Sequence, residues 1–150
     1  MAKIKKEQKS NKTKKPKLDR KWHLVNAESQ VLGRMATRVA ILLRGKEKTE
    51  FVPNYDLGDF VVITNASKIY VSGKKFEQKT YYRHSGYIGG LKEVKLGKLF
   101  KEKPEEVIKS AISGMLPRNK LKKFWLKRLY IFPKAEHKFE DKFKNHHKEQ

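Results

Sequence analysis

The sequence predicts an α/β domain built around a mostly parallel sheet, and three observations lead there. Residues 60–64, FVVIT, are an unbroken apolar and largely β-branched run, the pattern of a strand covered on both faces. Leu32, Met35, Ala36, Val39, Ala40 and Leu43 recur at the spacing of an amphipathic helix. Strand-like and helix-like patterns then alternate along the chain, as they do where helices cross between parallel strands.

In chain order, residues 22–26, WHLVN, read as a short strand. Ser29 or Gln30 opens the helix whose apolar stripe runs from Leu32 to Leu43, and Gly45 stops it. After the strand at 60–64, Asn65-Ala66-Ser67 make a turn, and Ile69 to Val71 form a short apolar piece closed by Ser72-Gly73. Residues 76–84, FEQKTYYRH, suit a half-exposed strand or ribbon, and Leu96 to Phe100 a helical turn. Pro104 stands where a helix begins, with Val107, Ile108, Ala111 and Ile112 as its apolar face and Gly114 as its stop. A short helix over 119–127 and a last strand over 128–132, RLYIF, complete a single domain spanning 22–133. It is flanked by an arm, 1–21, with too few apolar residues to order itself, and by a loose tail of mixed charge, 134–150.

Composition narrows the function. Lys and Arg number 37 against 16 Asp and Glu, a formal charge of +21. Residues 1–21 carry +8, residues 22–133 carry +12 and residues 134–150 carry +1, so the domain itself is basic. Such a charge repels itself unless a polyanion neutralises it, and nucleic acid is the natural one. An anionic membrane would ask for a basic amphipathic helix or a lipidation signal, and no Gly follows Met1. No apolar run approaches the roughly 18 residues of a spanning helix, and no apolar core near the N-terminus marks a secretory signal. With no cysteine, disulfides and cysteine-ligated zinc are excluded, which fits a reducing compartment.

Enzyme motifs are missing. Gly45-Lys46 is followed by Glu47, which breaks the phosphate-loop pattern, and Gly86, Gly89 and Gly90 have the wrong spacing for a dinucleotide fingerprint. There is no nucleophile elbow. Asp56 and Asp59 are close enough in sequence to share a cation or acid–base work, but shaping the turn into 60–64 is the simpler role. His84 has no orienting acid near it, and the histidines do not cluster as metal ligands. No cofactor, metal or small-molecule substrate is expected.

The cations, in contrast, form three runs. Arg34, Arg38, Arg44, Lys46 and Lys48 follow the first helix and leave its end. Lys74, Lys75 and Lys79 lead into Tyr81, Tyr82, Arg83 and His84. Arg118, Lys120, Lys122, Lys123, Lys127 and Arg128 make the third. Any one lysine is more often a solvated side chain, but three runs interleaved with tyrosines and Trp125 suit RNA, whose phosphates take charge and whose splayed bases stack. Alternation along YYRH puts at least one tyrosine inward, off the face of Arg83.

WHLVNAESQVLGRMATRVAILLRGK, FVPNYDLGDFVVITNASKIYVSGKK, YYRHSGYIGGLKE and ISGMLPRNKL together resemble the bacterial-type family of large-subunit ribosomal protein thirteen, from about Trp22 to about His137. The resemblance implies a three-layer α/β/α fold with a small parallel sheet. It implies a structural, non-enzymatic constituent of the large ribosomal subunit that binds its rRNA, sits beside other large-subunit proteins and acts early in assembly. Residues Arg34, Arg83, His84 and Arg118 would face rRNA. The location implied is the cytoplasmic ribosome, with an organellar ribosome as the alternative. Three departures stand out: Arg118-Asn119-Lys120 replaces the family's glycine-rich continuation of GMLP, Lys134-Ala135 replaces a glycine-rich turn before Glu136-His137, and the Lys-rich arm over 1–20 is longer than the family's, so nothing carries over to it. The competing functions are a general nucleic-acid architectural protein and a phosphate-handling enzyme using Asp56, Asp59 and His84.

Overall fold

The computed structural model describes residues 18–144. Its centre is a three-stranded parallel sheet in the order β1 (Trp22–Asn26), β2 (Phe60–Thr64), β5 (Leu129–Ile131). Trp22 stands opposite Phe60, and Val61 opposite Leu129. The central strand is buried along Val61 to Thr64, as a continuous β-branched run requires.

Helix α1 (Leu32–Arg44) crosses from β1 to β2. Its stripe of Met35, Ala36, Val39, Ala40 and Leu43 lies on the sheet face that presents Val25, Val61 and Ile63. Neither Ser29 nor Gln30 caps it: the N-cap is Val31, with no side-chain hydrogen bond. Its end follows expectation, because Gly45 takes φ 71° and closes the last turn onto Ile41 and Leu42. Helix α4 (Pro104–Met115) packs beside α1 on the same face through Ile108 and Ile112. Helix α5 (Lys122–Lys127) adds Trp125 to that core.

Residues 56–59 wrap under the C-terminus of α1. A Cβ on Gly58 would lie 1.7 Å from the Leu43 carbonyl oxygen, so only glycine permits this approach. By contrast, Gly33 and Gly114 sit inside helices without positive φ, and a Cβ at either would meet nothing within 4 Å. Gly114 is not the expected stop, since α4 runs one residue further and is capped by Leu116. Each of these two glycines costs its helix roughly 0.5–1 kcal/mol relative to alanine, and packing gives no reason for either.

The opposite sheet face carries Trp22, Phe60 and Tyr130. Trp22 stacks on Phe60 at 4.4 Å between centroids, and Tyr130 meets Phe139 at 4.5 Å. Residues 137–143 therefore do not hang free as a loose tail: Phe139, and Phe143 on α6 (Glu140–Lys144), cover this face and make the third layer. The reason is aromatic burial, which the surrounding charges hide in the sequence. The arm expected over 1–21 lies outside the described residues as far as residue 17. Residues 19–21 are held by the domain: the Asp19 carbonyl accepts from Lys48 Nζ, and the Phe60 N–H donates to the Lys21 carbonyl.

A second unit stands off this core. Helix α2 (Lys75–Gln78) takes the first part of the stretch expected to be extended. Strand β3 (Thr80–His84) then pairs antiparallel with β4 (Leu91–Lys95), a strand the sequence reading leaves unassigned. Helix α3 (Leu96–Glu102) returns the chain to α4, and Phe76 meets Phe100 edge-on at 5.8 Å to anchor the unit.

Candidate nucleic-acid interface

The structure divides the three cationic runs into free and committed side chains. Arg34 and Arg38 lie on the outer face of α1, and both are exposed. Arg44 does not join them. It is half-buried, with its guanidinium 5.7 Å from the Phe51 ring centroid and 6.0 Å from that of Trp125. Lys46 is exposed, whereas Lys48 reaches Asp59 at 2.5 Å. Arg128 is the clearest departure: it is buried, its guanidinium forks onto both Asp56 oxygens, and it donates to the Leu43 carbonyl at 3.4 Å. A planar fork matched to a carboxylate at a helix C-terminus is a structural clamp. Trp125 is likewise buried in the core and offers no stacking face to RNA.

The two carboxylates considered for chemistry are both consumed by structural contacts. Asp56 holds Arg128 and Arg20, the latter at 3.5 Å. Asp59, 5% exposed, takes His23 Nε2 at 2.9 Å, Lys48, and the Lys21 N–H at 3.1 Å. Burial works to raise the Asp59 pKa, but the hydrogen bonds from His23, Lys48 and the Lys21 amide outweigh it and hold the carboxyl below its ordinary value. His84 is elsewhere, on the β3–β4 ribbon, where its Nδ1 accepts the Gly86 N–H at 2.9 Å. Among the described residues no three His, Cys, Asp or Glu side chains are placed to hold a metal.

The other cations of the three runs, all exposed except Lys122, make no ion pair among the described residues. Lys74, Lys75 and Lys79 surround α2, and Lys79 Nζ lies 5.3 Å from the Tyr81 ring centroid. Arg118, Lys120, Lys123 and Lys127 stand along the loop after α4 and on α5, with Lys122 half-buried. In that loop the Asn119 side chain accepts the Lys122 N–H at 3.1 Å, just ahead of α5.

The ribbon resolves YYRH. Tyr81 is half-buried, and burial raises its pKa; Tyr82 is 65% exposed on the face shared with His84. Arg83 stands directly across from Lys92, a like-charge pair that costs the free ribbon stability. The tip, Ser85 to Gly90, turns through positive φ at Gly86 and Gly89 and presents Tyr87 and Ile88 almost wholly to solvent. Lys92 is not among the expected RNA-facing residues, because LKEVK carries little strand signal of its own and only the glycine-rich turn at Gly86 to Gly90 marks the ribbon.

The model of the family "Ribosomal protein L13" matches residues 20–138. A large ribosomal subunit protein uL13 from Clostridioides difficile is 55% identical over 120 residues, covering 80% of this chain and 84% of that protein. One from Citrifermentans bemidjiense is 52% identical, over 83% and 87% of the two chains. One from Syntrophus aciditrophicus is 47% identical, over 88% and 93%.

Proposed function

The chain belongs to the ribosomal protein L13 family, and from that premise we propose that its free cations bind large-subunit rRNA and that it joins the subunit early in assembly. It is a structural constituent of the large ribosomal subunit in the cytoplasm, and not an enzyme. The observation that carries the rRNA reading is the sorting of charge. The acids at 56 and 59 are spent on Arg20, Lys48 and Arg128, while Arg34, Arg38, Arg83, Arg118, Lys120 and Lys123 are exposed and make no ion pair among the described residues. A domain that leaves its cations unpaired on the surface gains from a polyanion. Exposed Tyr82, on the same ribbon face as His84, adds a stacking surface suited to unpaired nucleotides.

The test is binding of the full chain to a large-subunit rRNA transcript across a salt series. Affinity is expected to fall steeply, each phosphate contact adding about 0.7–0.9 to the log–log slope. Arg83→Glu and Arg118→Glu are each expected to weaken binding and flatten that slope. Duplex DNA that competes as well as rRNA would favour the architectural reading instead. Early entry is tested by following the protein into precursor particles on gradients. If it appears only in mature subunits, that part of the proposal fails.

A further inference from the structure

A cleft of about 320 Å³ opens between the first turn of α1, the last turns of α4 and the lysines of α2. Its wall is mainly apolar, with Leu32, Leu96 and Ala111, and among the described residues no acid lines it. Lys75 and Lys79 are both exposed and line it from the α2 side, and the first turn of α1 holds no acidic residue. Gly33 and Gly114, the two helical glycines that the fold leaves unexplained, both line this cleft, one on each of the packed helices. The Thr37 hydroxyl meets Met115 Sδ at 3.2 Å, tying the two helices together beside it. An alanine methyl at either position would meet no protein atom within 4 Å and would stand at the cleft wall.

We propose that this cleft receives one unpaired nucleotide of the rRNA, its base against the apolar wall and its phosphate at Lys75 and Lys79; the proposal rests on the rRNA-binding reading above. An unstacked nucleotide combines a flat apolar face with a negative charge, and the cleft offers an apolar wall beside cations and no anion. Its volume lies in the range of small-ligand sites.

The full chain and its Gly33→Ala, Gly114→Ala and Lys79→Ala variants are titrated with a large-subunit rRNA transcript, and each is melted without RNA. The alanine variants at the glycines are expected to melt at or above the wild-type temperature, because alanine favours the helix. They are expected to bind rRNA about tenfold more weakly or worse, the cost of overfilling a fitted space, with an unchanged salt slope. Lys79→Ala is expected to lower that slope by roughly one contact. Chemical probing of base accessibility is expected to show a nucleotide protected by the wild type and released by Gly114→Ala. Glycine variants that bind like the wild type, while the wild type binds tightly, overturn the cleft assignment and leave the rRNA reading standing. A wild type that does not bind rRNA overturns both. A photoreactive group at Met115 that labels a neighbouring protein instead of rRNA in assembled subunits also overturns the assignment.

Discussion

Asp56→Ala strands the buried Arg128 guanidinium without its carboxylate, and loss of one partner of a buried pair costs about 3–5 kcal/mol. Chemical denaturation of the variant will show that loss, and Asp56→Ala combined with Arg128→Met will recover part of it. Arg118 and Arg128 look alike in the sequence, both lying in one cationic run. What separates them is a carboxylate 72 residues upstream that the fold brings to one of them. Residue-level charge is thus legible as a count, but its partners belong to the tertiary structure. Asp59 makes a pH-dependent contribution of known sign. Its folded pKa lies below the unfolded value, so the carboxylate stabilises fully above about pH 4 and loses that effect as pH falls through the folded pKa. Melts from neutral pH into acid will show the decline, and Asp59→Asn, less stable at neutral pH, will show a shallower one.

Among the elements, α1 and β2 were legible because their signals are local: a periodic stripe and a β-branched run need no knowledge of neighbours. Strand β4 was not, since LKEVK offers little beyond one valine between charges, and its identity comes from pairing with β3. Helix α2 is a single turn whose apolar contact, Phe76 on Phe100, is remote in sequence. The ribbon that results is two-stranded and largely exposed, a type of element marginal on its own in water. Amides of β3 and β4 will therefore exchange with solvent faster than those of β2 in the free protein, and rRNA will slow them. Equal protection of ribbon and sheet without RNA would contradict this. Lys92→Thr removes the charge facing Arg83 and will stabilise the free ribbon by about 0.2–1 kcal/mol while weakening rRNA binding.

At the scale of the whole molecule, the sequence carried the fold class, since alternating patterns specify an α/β layering before any contact is known. The family resemblance implied a far layer, but the residues that build it escaped the patterns because Phe139 and Phe143 are embedded in charge, and only their seat on Trp22 and Tyr130 shows what they cover. Phe139→Ala will cost about 1–2 kcal/mol, as expected for half-burial of a phenyl ring, read from the thermal midpoint. That layering also has a consequence for the order of synthesis. The central strand Phe60–Thr64 gains its second neighbour only from Leu129–Ile131, and Phe139, which seats on Trp22 and Tyr130, follows later still. A growing chain must therefore carry FVVIT with one edge unpaired until Leu129–Ile131 have been made. An apolar open edge of that kind invites sticking to other chains, so fragments that stop short of Leu129 will accumulate as insoluble protein where the full chain does not.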